Sequence, residues 1–124
     1  MFAEPLRSKA VLHIMDGMRE VWHGGPLTQV QDFIYPAGTL LIGTDPVAVD
    51  TVELETIEKT RREHNAPSIW QQDPKSITGN NLEFFHDPTK NLFYRRPGHV
   101  AAAGKLGLGV GEIGKIDRRT MRMS

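Results

Sequence analysis

Two short apolar runs, each closed by a glycine, set the hydrophobic pattern of this chain. In the first, Val11, Leu12, Ile14 and Met15 lead to Asp16 and Gly17, so the stretch from Lys9 to Asp16 predicts a strand. In the second, Thr39-Leu40-Leu41-Ile42 leads to Gly43 and Thr44, after which Asp45 and Pro46 have the residue types of an N-cap and a first helical position. Asp accepts orphan amides at a helix start, and Pro loses nothing where its missing N–H would be unpaired. A strand therefore runs directly into a helix, predicted from Pro46 to roughly Glu63. Its first half is apolar nearly all round, with Val47, Ala48, Val49 and Val52, and its second half, Glu58 to Glu63, is charged. The helix is expected to start buried and end in water.

Between the two strands the period is lost. Gly17 to Asp32 contains Trp22, His23, Gly24, Gly25 and Pro26, which favours a loop whose backbone approaches another group closely. Phe33, Ile34 and Tyr35 add a short strand that Pro36 ends. After the helix, His64 to Pro97 is rich in Asn, Pro and Asp and carries Trp70, Phe84, Phe85, Phe93 and Tyr94. Long aromatic-bearing arms of this kind act as lids or partner contacts, or else pin themselves to their own core. A second helix is predicted over His99 to Leu106, followed by Gly107, Gly109 and Gly111. A dinucleotide-binding loop should follow a strand and open a helix; this glycine run closes one, so it reads as a C-cap and turn. Glu112 to Lys115 reads as one helical turn and Ile116 to Met123 as a final strand or tail. Together these elements predict a single α/β module over residues 1–124: a small mixed sheet, two main helices and a long irregular arm at about 64–97.

Composition narrows the function classes. A chain of 124 residues, 39% hydrophobic, suits one domain with one core. Its 15 basic and 15 acidic residues cancel, and Arg95 and Arg96 beside Lys90 fall short of a basic stripe, so no nucleic-acid partner is expected. With no cysteine, the chain ligates no iron–sulfur cluster and has no disulfide, thiolate zinc site or cysteine nucleophile. No apolar run is long enough to span a bilayer and no basic-then-apolar signal opens the chain, so a membrane is not an expected partner and the cytoplasm is the default. P-loop, nucleophile-elbow and paired-histidine patterns are absent.

The candidate chemistry is a set of carboxylates and histidines. Asp16 ends the first predicted strand, as either a turn residue bonding its own backbone or a ligand. Asp45 follows the second. Asp50 lies between Leu54 and Ile57 on the helical wheel, sharing an apolar face, where a carboxylate needs a partner. It is either a tether accepting amides from a neighbouring turn or a site ligand. His13 shares the Val11 and Met15 face, as a hydrogen-bonded core histidine or a residue reaching a site. His23 is expected in solvent. The amides of Gly24 and Gly25 are candidates for approaching an anion.

The order Val11-Leu12-His13-Ile14-Met15-Asp16-Gly17-Met18, then Gly24-Gly25-Pro26, then Thr44-Asp45-Pro46-Val47-Ala48-Val49-Asp50, then His99-Val100-Ala101-Ala102-Ala103 and Leu106-Gly107-Leu108-Gly109, resembles the C-terminal half of the bacterial and archaeal family called domain of unknown function 362. The resemblance implies an α/β module without an agreed reaction and marks Asp16, Asp45 and Asp50 as motif positions. It also implies a first half that this chain lacks. Two functional expectations follow. One is a small-ligand or divalent-metal site (magnesium, calcium or manganese on oxygen ligands, zinc or iron if His13 or His23 joins) at the carboxyl ends of the strands, built from Asp16, Asp45 and Asp50. That site requires the two strands not to be antiparallel neighbours. The other is a non-catalytic module that forms a homodimer, or binds another chain, through a bare sheet edge or apolar patch.

Overall fold

Residues 8–24, 28, 30–71 and 97–123 are described by the computed structural model. In chain order the elements are β1 (His13–Gly17), β2 (Glu20–Val21), β3 (Ile34–Tyr35), β4 (Thr39–Gly43), α1 (Pro46–Glu63) and α2 (His99–Lys105), with single 3-10 turns at Gln31–Phe33 and Ile113–Lys115. Both main helices and the strand-to-helix step fall where the residue pattern predicts them. The two-residue β2 does not, because it lies inside the stretch read as loop. Residues 116–123 form no strand. Most of the arm expected at 64–97, including Phe84, Phe85, Phe93 and Tyr94, lies outside the described residues.

The architecture is mixed α/β, with two small antiparallel two-stranded sheets and two helices. β1 pairs with β4 so that His13 faces Gly43, Ile14 faces Ile42 and Asp16 faces Leu40. Side chains alternate across a strand, and the register therefore sorts them into two faces. His13, Met15, Leu41 and Gly43 turn towards α1, where a side chain on Gly43 would stand 2.7 Å from Val49 Cγ2. Ile14, Leu40 and Ile42 point the other way, and all three are exposed.

β2 pairs with β3 and carries the second packing centre, in which Trp22, Phe33 and Ala66 are buried against Val30 and Tyr35. Trp22 stacks on His64 with ring centroids 4.3 Å apart and meets Phe33 edge-on at 5.3 Å. Its indole N–H donates to Asp32 O (3.1 Å), so the polar end of the ring is satisfied inside the core.

The far end of α1 departs from expectation. The charged second half predicts an end in water, yet Thr60 is buried and Arg61 has no exposed surface at all. Arg61 Nε donates to Pro67 O (2.8 Å), and Nη1 donates to Trp22 O (3.0 Å) while lying 3.3 Å from His23 Nδ1. A guanidinium only donates, so Nδ1 accepts and the imidazole proton sits on Nε2. His23 is correspondingly buried, only 4% exposed, against the expectation of a solvated side chain. Lys59, Arg62 and Glu63 do face water. Helical spacing cannot distinguish Arg61 from Arg62; what differs is that carbonyl groups from two loops converge on one of them.

Asn65 closes α1 in the left-handed region, at φ 54°. Its N–H donates to Arg62 O and that of Ala66 to Arg61 O, which together satisfy the last turn as a Schellman motif and deliver Ala66 to the core. Replacing Arg61 by Met keeps the volume but strands the carbonyls of Trp22 and Pro67. Arg61→Met should lower unfolding free energy by about 3 kcal/mol, whereas Arg62→Met should stay within about 0.5 kcal/mol of the parent. Urea denaturation of the two variants side by side checks this.

Candidate functional site

The pairing of β1 with β4 decides which candidate residues meet. Because the strands run antiparallel, the end of β1 that carries Asp16 lies beside Leu40, while the Asp45 end of β4 lies beside His13. Asp16 and Asp45 are therefore at opposite ends of the sheet, and the expected cluster of Asp16, Asp45 and Asp50 is not assembled. Among the described residues no group of three or more His, Asp or Glu side chains stands close enough to hold a metal ion.

Each candidate has a local role instead. Asp16 Oδ1 accepts the Met18 N–H at 2.9 Å, the turn role that its position before Gly17 suggests. His13 is half-buried on the helix-facing side, and His23 belongs to the Trp22 core. Gly24 adopts φ 84°, with Phe33 and Thr28 close by, and Gly25 lies outside the described residues.

Among the described residues, Asp45 is the most heavily bonded carboxylate. Oδ1 accepts the N–H groups of Val47 (2.8 Å) and Ala48 (3.0 Å), capping α1 as expected. Oδ2 accepts the Val110 N–H at 2.7 Å. The loop-tying role considered for Asp50 thus belongs to Asp45, five residues earlier. This explains the glycine run. Gly107, at φ 66°, closes α2, its N–H donating to Gly104 O while Leu108 N–H donates to Ala103 O. A side chain at Gly109 would land on the Asp45 carboxylate, and one at Gly111 would stand 2.9 Å from Val100 O. These glycines admit the chain against α1 and α2.

Asp50 is nearly half exposed, and its Oδ2 lies 3.2 Å from His99 Nε2 across the two helices. An exposed pair of this kind contributes at most about 1 kcal/mol. One turn further along α1 is a group that residue pattern alone did not single out. Glu53 Oε2 is buried without a hydrogen-bond partner. Burial first, then the neighbouring carboxylates Glu20 and Asp50, push its carboxyl up to about 7. Glu20, buried on β2, is also raised by burial, against which the hydrogen bond from Thr39 Oγ1 (3.3 Å) works. The only signal in the sequence is spacing, since Glu53 follows Asp50 by three residues and shares its side of the helix. Nothing flags Glu20, whose strand is two residues long.

A groove of about 460 Å³ runs between β4 and residues 115–121, floored by Ala48, Val49 and Val52. Its charged residues are spoken for. Lys115 pairs with Glu112 (2.7 Å), Arg118 with Glu55 (2.7 Å) and Arg119 with Asp117 (3.3 Å), and both oxygens of Asp45 already accept amides. Among the described residues, no charged side chain that lines it is left unpaired. Among the described residues, no helix is long and apolar enough to cross a membrane. Comparison with family models, with curated proteins and with solved structures gives no match for this chain.

Glu53 makes stability depend on pH in a defined direction. Its carboxyl is raised in the folded state, so between about 4.5 and 7 the native chain holds a proton that the unfolded chain has released. Unfolding free energy should therefore fall as pH rises through that window. Glu53→Gln should remove this fall, matching the parent near pH 4 and exceeding it above pH 7 by about 1 kcal/mol once solvent screening is allowed for. Thermal melts of both proteins from pH 4 to pH 8 read it directly. Asp50→Asn should cost less than about 1 kcal/mol and remain folded. Magnesium, manganese, calcium and zinc should leave both melting temperatures unchanged. A metal-induced rise in the parent that vanishes in Asp50→Asn would instead establish a carboxylate site.

Proposed function

We propose that this chain is a non-catalytic interaction module whose docking surface is the outer face of the β1–β4 sheet. The observation that carries the reading is the exposure of Ile14 (62%), Leu40 (50%) and Ile42 (59%), with Ile14 and Ile42 side by side in register. Leu12 and Met18, which flank β1, are exposed as well. Helix α1 covers one face of this two-stranded sheet, and among the described residues the other face exposes mainly aliphatic side chains. Patches of this kind on a folded chain mark contact sites, because burying them against a partner gains roughly 25 cal/mol per Å².

Polar competition on the face is slight. Asp16 is its charged residue within the strands, and one of its oxygens already accepts the Met18 amide. Neither β1 nor β4 has a further strand partner among the described residues, so the sheet also presents open edges. The resemblance to domain of unknown function 362 implies no reaction and does not compete with this reading.

The double substitution Ile14→Thr/Ile42→Thr tests it, because Thr retains β-branching while removing apolar surface. If these residues are docking surface, the variant should unfold within about 1 kcal/mol of the parent in denaturant titrations at submicromolar concentration. A loss of several kcal/mol would place both residues in a core covered from within the chain and overturn the proposal.

A further inference from the structure

We infer that the occupant of this face is a second copy of the chain, packed sheet against sheet with the two β1 strands antiparallel across the interface. The inference rests on the docking reading above and names its partner. Three observations lead to it.

The first is the chemistry of the face. It offers a row of aliphatic side chains and almost no polar anchor, so its partner must present an equally apolar face of similar width. A second copy carries one by construction, and a two-fold contact uses the same patch twice. With 15 basic and 15 acidic residues, two copies meet without net repulsion.

Charge placement then selects the orientation. Asp16 lies at one end of the face, and exposed Lys9 precedes β1 at the other. With the β1 strands parallel across the interface, the two Asp16 side chains would lie at the same end of it. With the strands antiparallel, a two-fold axis near the Ile14–Ile42 pair sends each Asp16 to the opposite end, towards Lys9 of the partner subunit. Only the antiparallel arrangement replaces a like-charge contact by an attractive one.

The third is area. At roughly 100 Å² of exposed surface apiece, Leu12, Ile14, Met18, Leu40 and Ile42 present about 500 Å² per copy, more than half of the ~800 Å² per partner of a standard specific interface.

Sedimentation velocity on the full chain, from about 1 to 100 µM, should show the species moving from the 13.9 kDa monomer towards twice that mass. Asp16→Lys should weaken association about tenfold or more, and adding Lys9→Asp should restore it. That rescue separates the charge contact from loss of the Met18 turn. Because the chain contains no cysteine, Ile14→Cys gives a clean geometric probe. Mild oxidation should cross-link it, and should leave the remote exposed position Glu63→Cys without a cross-link.

Three results would overturn the second-copy inference: a monomer at every concentration, equal cross-linking at both cysteine positions, or a dimer that persists unchanged in Ile14→Thr/Ile42→Thr. A monomer whose Ile14→Thr/Ile42→Thr variant keeps its stability would do so while leaving the docking face standing. A variant that loses several kcal/mol would remove the docking face itself.

Discussion

The guanidinium of Arg61 is the interaction on which the arrangement of this chain most depends. It is fully buried, and its donors reach a carbonyl on the Trp22 side of the fold and another at Pro67 beyond the helix. The segment at Trp22, 39 residues away, and the turn just beyond the helix therefore meet at one cation. Burial pushes its pKa down and the nearby Glu58 carboxylate opposes that, so a charge is retained inside the protein by carbonyl dipoles and one acidic neighbour. Glu58 is itself occupied, since its Oε2 accepts the Ile69 N–H at 3.0 Å. The segment after α1 is thus held to the helix by polar bonds at both Pro67 and Ile69, and Trp22, His23 and Phe33 pack where those bonds place the loops.

Asp45 does the equivalent at the opposite end of α1. One carboxylate starts the helix and also holds Val110, so the glycine-rich stretch lies against the residue that caps the long helix. Between these two anchor points, Val49 lies beneath Gly43 of β4. Helix α1 is therefore the scaffold and the β1–β4 sheet is laid along it. A two-stranded sheet supported on one face is stable only because of that support. Among the described residues, the side chains of its other face are exposed.

How far the fold could be read in advance follows from this division. Asp45 and Pro46 announce the start of α1 because capping is local chemistry, decided within four residues. Gly107 announces the end of α2 for the same reason. Arg61 could not be picked from the run Thr60-Arg61-Arg62-Glu63, because its burial depends on carbonyls from residues 22 and 67, which no periodicity connects to it. His23 is buried for the same reason, since its partner Arg61 comes from a remote element. Gly109 and Gly111 were legible as glycines but not as contacts, since the groups they admit, Asp45 and Val100, come from other elements. The antiparallel pairing of β1 with β4 is likewise a tertiary choice. It alone separates Asp16 from Asp45, because the same two strands laid parallel would have brought their carboxyl ends together.

The balance between chemistry and docking rests on where the carboxylates went. A perturbed acid is a recurrent mark of catalytic sites, and Glu53 is such an acid. Catalysis also needs access and a second reacting group, however, and the Oε2 atom of Glu53 is buried with no partner. Its closest electrostatic neighbours are two further carboxylates, Glu20 and Asp50, which raise its proton affinity without supplying a nucleophile or a positive charge. Asp45 is consumed by three amides and Asp16 by a turn. What remains accessible on the β1–β4 sheet is mainly aliphatic. Surface of that kind promotes association through area and shape.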